Sequence, residues 1–270
     1  MLPHPKAKIH RMFELLEPIA TITFSEAVNE AFMALGMRNF WDGYFAGRAA
    51  PLGQAPAGVV HAVFYNFTEG EVARHIPWVW GKISPEEAIA VRERSSAAVL
   101  RQRIGELAGA SGLVRAADLA TRAALSAPAE GRALYAGLRE LDVPEEPVAR
   151  LWHAATLLRE HRGDGHNAVL VAHGIGGTEA HVLMALALGV RAEEFGRIHH
   201  LPKARLAAVV DGLRRRGLVD AAGGFTDAGR ETKERIEALT DELAAPAYDV
   251  LGADELDELI AGLEPIAAAL

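Results

Sequence analysis

The chain has 270 residues, half of them hydrophobic, with 28 Lys/Arg against 36 Asp/Glu and a formal charge of −8. That length suits one large domain or two ordinary ones, and the acidic balance disfavours generic electrostatic binding to nucleic acid, although a local basic face can act against the average. Cysteine is absent, which excludes disulfides, thiolate metal sites and a cysteine nucleophile.

Helix signals dominate in chain order. Ser25 can cap a helix to Leu35, closed by Gly36. Phe40, Trp41, Tyr44 and Phe45 form an aromatic stripe at helical spacing, and a short buried helix is expected over 59–67. Ser84-Pro85-Glu86-Glu87 combines a cap, a first-position proline and first-turn acids, starting a helix that runs to Leu107. Helices near 114–125 and 129–141 follow, and Pro144 and Pro147 mark a linker. Beyond it a helix over 148–162 is expected to stop at Gly163-Asp164-Gly165, with further helices at 167–174, 178–188, 191–199 and 203–216. Leu218-Val219 and Gly223-Gly224-Phe225-Thr226 fit a two-stranded wing, followed by helices at 227–243 and 253–268. The N-terminal Met1-Leu2-Pro3-His4-Pro5-Lys6 has no apolar signal-type run. Apolar stretches are interrupted within about 12 residues, so a cytoplasmic protein with no membrane span is expected.

The chain aligns with itself at a spacing near 110 residues. Trp41 and Arg48 recur as Trp152 and Arg159, Ala97-Ala98-Val99 recurs as Ala207-Ala208-Val209, and Gly105 recurs as Gly217. Such a spacing points to two domain-sized copies, 1–143 and 144–270, rather than a solenoid. Two copies can pack about a pseudo-twofold axis, giving either a monomeric pseudo-dimer or a homodimer.

Residues 178–243 read as a winged helix-turn-helix. Leu213-Arg214-Arg215-Arg216-Gly217-Leu218-Val219 and Phe225-Thr226-Asp227-Ala228-Gly229-Arg230 resemble the MarR family, whose recognition helix ends in Leu-x-x-x-Gly-Leu-Val before a wing and Leu-Thr-x-x-Gly-Arg. The runs 41–53 and 151–166 also resemble an actinobacterial group of helix-turn-helix proteins, which implies architecture and supplies no reaction. The fold class expected is all-α with small β-wings, as two tandem winged-helix modules forming an intramolecular pseudo-dimer: a degenerate one at 1–143 and a MarR-like one at 144–270. The wing tip, Asp220-Ala221-Ala222-Gly223-Gly224, has no cation, so the wings are not expected to touch DNA. The recognition helices do carry cations: Lys203, Arg205, Arg214, Arg215 and Arg216 in the second copy, Arg92, Arg94, Arg101 and Arg103 in the first. They serve either groove contact or a solvated face with C-terminal arginines favoured by the helix dipole.

The densest polar constellation lies at 151–166. His153, Glu160 and His161 share one broad helical face, and the expected turn at Gly163-Asp164-Gly165 brings Asp164 and His166 back toward it. Buried polar groups need partners. Three readings stand: a closed network built on Arg159 or Arg162, a site for an anionic or aromatic small molecule, and catalysis or metal binding. No His-Glu-x-x-His motif, phosphate loop or Gly-x-Ser-x-Gly elbow occurs, so no metal set is expected and no cofactor is indicated. The ligand-site residues expected to converge between the modules are Trp41, Arg48, Trp152, His153, Arg159, Glu160, His161, Asp164 and His166. The first functional expectation is a small-molecule-binding protein, with or without catalysis. The alternative is a ligand-responsive MarR-like transcription regulator that reads DNA through Lys203, Arg205, Arg214 and Arg215.

Overall fold

The computed structural model describes residues 4–195 and 201–270. Those residues form helices α1 (Lys6–Thr21), α2 (Glu26–Met33), α3 (Phe40–Ala49), α4 (Ala57–Phe64), α5 (Glu69–Val72), α6 (Pro85–Ile104), α7 (Ser111–Ser126), α8 (Ala133–Arg139), α9 (Pro147–Ala172), α10 (Gly177–Ala187), α11 (Lys203–Arg215), α12 (Asp227–Ala244) and α13 (Ala253–Ala268). Several starts are set by side-chain caps that satisfy orphan backbone donors. Asn39 accepts from the Trp41 and Asp42 amides, Ser84 from Glu87, Glu146 from Ala149, and Thr226 from Gly229. No single helix among the described residues is long and apolar enough to cross a membrane.

The organising element is α9. Its first half, from Val148 to Leu158, is buried almost all round, packed by α7, α12, α1, α6 and α8. At about 1.5 Å per residue its 26 residues make a rod long enough to join two groups of helices. The stop expected at Gly163-Asp164-Gly165 does not occur, and the expected 148–162 and 167–174 helices are one. Each glycine costs a helix interior only about 1 kcal/mol, and tertiary packing exceeds that. Gly165 has a packing reason: a Cβ there would lie 2.5 Å from Arg132 Nη1. The bare backbone lets the Arg132 guanidinium reach the His161 carbonyl.

Buried apolar side chains fall into two clusters. The larger runs from Ile9 on α1 to Leu158 on α9 and takes in Ala244 to Ile266, spanning the 143/144 boundary. The smaller holds Val169, Leu170, Ile175, Val182, Leu183, Leu206, Leu213, Val219 and Ile236. Helices α9 and α12 contribute to both. Tyr65 also ties them: its hydroxyl donates to the Ile175 carbonyl at 2.5 Å. Gly177 approaches the Tyr65 carbonyl so closely that a Cβ would lie 2.1 Å from it.

Among the described residues there is no β-strand. The expected wing is reduced to an isolated antiparallel bridge, Val219 to Phe225. Asp220 and Gly224 close the hairpin at once, with the Asp220 amide donating to the Gly224 carbonyl at 2.8 Å, so no length remains for a ladder. The residues Ala192–Glu194 make one 3-10 turn. The rest of the helix expected over 191–199, together with His200, lies outside the described residues. In the first half, α6 is no exposed recognition helix. It packs against α2, α3 and α9, and Arg92 is buried, donating to the Thr23 hydroxyl at 3.1 Å and the Gly47 carbonyl at 3.4 Å. Arg94, Arg101 and Arg103 stay exposed.

Candidate functional site

A cavity of about 300 Å³ opens where the two clusters meet. Its walls are Phe13 and Glu17 from α1, Tyr44 and Arg48 from α3, Phe64, Asn66 and Phe67 at and after the end of α4, the stretch of α9 from Arg159 to Asn167 without His161 and Gly165, and His181 from α10. Arg48 and Glu160 form a two-pronged pair, Nε to Oε1 at 3.2 Å and Nη2 to Oε2 at 2.9 Å. The third Arg48 nitrogen donates to the Tyr44 hydroxyl at 2.9 Å, and its guanidinium lies 4.3 Å from the Phe64 ring centre. Arg159 reaches Glu160 at 2.9 Å and grips Glu17 with Nε at 2.9 Å and Nη2 at 3.1 Å. Burial alone would raise the Glu160 carboxyl, but Arg48 and Arg159 outweigh it and hold the group at about 2.

Farther along α9 the charges close on one another. Arg162 donates to Asp241 Oδ1 at 2.9 and 3.1 Å and to Glu237 at 2.9 Å. His166 Nδ1 sits 2.9 Å from the Thr240 hydroxyl, and burial lowers this imidazole to about 4. Asp164 does not fold back to its own helix. Its Oδ2 accepts from the Leu134 and Tyr135 amides, both at 3.0 Å, capping α8, and burial pushes the carboxyl up to about 6. Asn167 donates to the Val63 carbonyl at 3.0 Å.

The structure therefore gathers Arg48, Arg159, Glu160, Asp164 and His166 around one space, and leaves four expected residues off its walls. Trp41 stacks edge-on to Tyr44 and Phe67, behind the wall. Trp152 and His153 are buried about two turns deeper; Arg92 lies 5.3 Å from the Trp152 ring centre, and burial holds His153 at about 4. His161 points away, edge-on to Tyr135 at 5.0 Å, and burial lowers it to about 3. Once α9 is continuous, each residue turns the face by about 100°. His161 therefore leaves the Arg159–Gly163–His166 stripe. Glu17, Phe64, Phe67, Asn167 and His181 carry no local sequence signal for this role; Glu17 lies 142 residues from its partner.

The second candidate surface is α11, which follows α10 in the helix-turn-helix order. It buries Leu206 and Leu213 against the smaller cluster and leaves its outer face in solvent. Gly217 at φ 72° ends it in the left-handed conformation that favours glycine. Gly229 is required because a Cβ would lie 2.0 Å from the Leu218 carbonyl. The cations divide by role. Arg214 is occupied within the chain, donating to the Asp220 carbonyl at 3.0 Å and to Asp211 at 2.9 Å. Arg216 holds the Gly174 carbonyl at 2.9 Å, the His173 carbonyl at 3.2 Å and Glu179 at 3.1 Å. Lys203, Arg205 and Arg215 are exposed, and their side chains make no hydrogen bond or ion pair among the described residues.

No curated protein and no solved structure matches the chain. A family profile described as Helix-turn-helix family matches residues 9–270. The match takes in the larger cluster as well as α10 and α11, so the chain belongs to this helix-turn-helix family.

Proposed function

We propose that the protein is a DNA-binding regulator that docks α11 in the major groove and responds to a small molecule held in the 300 Å³ cavity. The observation that carries the DNA reading is the split of the basic residues: Arg214 and Arg216 are occupied by the fold, whereas Lys203, Arg205 and Arg215 stand on the exposed face of α11. The acidic average does not oppose this. Residues 173–226 carry seven Lys/Arg against five Asp/Glu, so the acidic excess lies elsewhere. The bridge turn Asp220–Gly224 adds no cation, and the reading assigns contact to α11 alone.

A gel-shift or anisotropy titration against genomic fragments tests it. Binding should weaken as salt rises, with a slope near −0.9 per phosphate contact. Lys203→Glu with Arg205→Glu should lower affinity at least tenfold without changing Tm. Salt-insensitive or absent binding at 50 mM salt, with the folded state verified, would remove this reading.

The cavity supports the small-molecule half. Its volume stands at the low end for ligand sites, and it mixes aromatic walls with a few convergent polar groups. The 110-residue register supports descent from a duplicated module: it pairs α6 with α11 and α7 with α12, and the helix-ending glycines Gly105 and Gly217 both have positive φ. On that reading the first module has buried its recognition helix and has two helices, α3 and α4, where the second has α9 alone.

A further inference from the structure

We infer that the cavity seats the head of a small amphiphile, an uncharged group rich in hydroxyls, and that its apolar tail lies in a groove lined by α4 and α9. The inference deepens the small-molecule half of the proposed function and rests on it. The head follows from the charges on the walls. Arg48, Arg159 and Arg162 stand against Glu17, Glu160 and Asp164, so the lining arginines and carboxylates cancel at neutral pH. A charged head would bring an unanswered charge into a partly dry space. A hydroxyl brings none.

The walls also call for a group that both donates and accepts. A guanidinium has five N–H donors in a planar fork, and three are engaged on Arg48 and on Arg159. Glu17 accepts one hydrogen bond on each carboxylate oxygen, both from Arg159, and keeps a lone pair on each. Hydroxyls answer donors and acceptors alike.

The tail follows from what adjoins the cavity. A groove of about 640 Å³ is lined by Ala62, Val63 and Tyr65 at the end of α4, Ala133 of α8, and Ala168 and Val171 of α9. Asp164 and Asn167 line the groove as well as the cavity, so the two spaces are neighbours. Between them stands the Asn167 side chain, hydrogen-bonded to the Val63 carbonyl at 3.0 Å. Among the described residues no lysine, arginine or glutamate lines the groove. Val171 is 63 % exposed, and Ala62 and Ala168 are exposed as well, so apolar surface is left in water beside a polar cavity. From Asp164 to Val171 the α9 wall runs about 10 Å, room for an extended chain on the order of eight carbons. The groove reaches Gly176 and Gly177 at the start of α10, so a tail there would touch the first helix of the helix-turn-helix.

The test is a calorimetric titration of the whole protein with 1-O-alkylglycerols bearing ethyl, butyl, hexyl and octyl chains, each below its micelle concentration. Octyl sulfate and octylammonium are the charged probes of equal length. Affinity should rise about two- to fourfold per added CH2 along the series, and octylglycerol should bind about tenfold more tightly than either charged probe. Val171→Lys puts a cation in the groove at an exposed position in the last turn of α9, where the helix dipole favours it. Ala62→Lys does the same from the exposed side of α4. Both should keep the Tm and the affinity for the ethyl member, and flatten the rise with chain length. A charged probe that binds as well, a rise that survives both variants, or no binding by any probe overturns the inference. Affinity that ignores chain length also overturns it, and leaves the cavity as a ligand site. A dimer in sedimentation that Val171→Lys dissociates would give the groove to a second copy and overturn the tail. Octylglycerol binding with no effect on a DNA titration would leave the amphiphile site standing and end its regulatory link. Absent DNA binding with the chain-length series intact would end the regulator reading alone.

Discussion

Arg48 on α3 and Glu160 on α9 meet in a two-pronged ion pair across 112 residues of sequence, with nitrogen–oxygen distances of 2.9 and 3.2 Å. Glu160 is 2 % exposed, so its carboxylate cannot fall back on water if Arg48 is lost. Breaking a buried pair costs about 3–5 kcal/mol, and because Glu160 keeps Arg159 at 2.9 Å the lower end of that range applies here. Arg48→Ala should therefore lower stability by about that much in urea unfolding. Arg115→Ala, which breaks the exposed pair with Glu258, should leave the midpoint unchanged. Equal effects from the two substitutions would show that Arg48 and Glu160 are not held as described.

The continuity of α9 makes a second comparison between neighbouring glycines. Gly165→Ala places a Cβ against the Arg132 guanidinium, which would have to leave the His161 and Leu243 carbonyls. A cost of about 1–3 kcal/mol is expected, from the carbonyl partner lost and the strain introduced. Gly163→Ala meets only the Glu160 carboxylate at 3.6 Å and should be neutral or stabilise by up to about 1 kcal/mol through helix propensity. Were the chain to break at Gly163-Asp164-Gly165, the alanine at 163 would destabilise instead.

Local signals in the sequence identify much of the helix inventory. Ser84-Pro85 starts α6, the Thr226 cap and Gly229 place α12, and α13 has the bounds that its spacing implies. Gly217 ends α11 as the Leu-x-x-x-Gly-Leu-Val run requires. What local reading misses is decided by distant partners. Gly163 and Gly165 look like a stop, but Arg132 and the α8 amides hold that stretch helical. The candidate site suffers in the same way. Arg48, Arg159 and Glu160 are found because charge in an apolar run needs an answer, but their third partner is Glu17 on α1, which nothing local marks. His153 shares the face of Glu160 but lies about 10 Å farther down the rod, under Arg92 rather than in the cavity.

Stability should depend on pH in a window set by buried histidines. Burial lowers His161 to about 3, and His153 and His166 to about 4. A histidine depressed in the fold takes up its proton more readily when unfolded. Stability is then complete above the ordinary value near 6.5 and falls as pH drops toward 4. Asp164, raised to about 6, works the other way between its ordinary value and 6 and offsets part of the loss. Glu160, held at about 2, contributes only below the ordinary carboxylate range. Urea unfolding at pH 7, 6, 5 and 4.5 should show a falling midpoint. His161→Gln should flatten that fall, removing about 1–3 kcal/mol of the difference. An unchanged slope in the variant would mean that His161 is charged or solvated in the fold.

The basic run at the end of α11 offers the last test, because its three arginines have three different surroundings. Arg216 binds the Gly174 and His173 carbonyls at the end of α9 and reaches Glu179 on α10. Its replacement by Ala frees backbone acceptors at a helix end and should lower Tm by a few degrees. Arg214 fastens the Asp220 and Ala221 carbonyls to α11. Arg214→Ala should loosen the bridge between Val219 and Phe225, read as faster amide exchange at Thr226, whose N–H donates to the Leu218 carbonyl. Arg215 has no such partner among the described residues and stands on the outer face. Arg215→Ala should leave Tm and exchange untouched and reduce the salt slope of DNA binding by about one phosphate contact. If Arg215→Ala destabilises the fold as Arg216→Ala does, the division of this run into structural and DNA-facing cations fails.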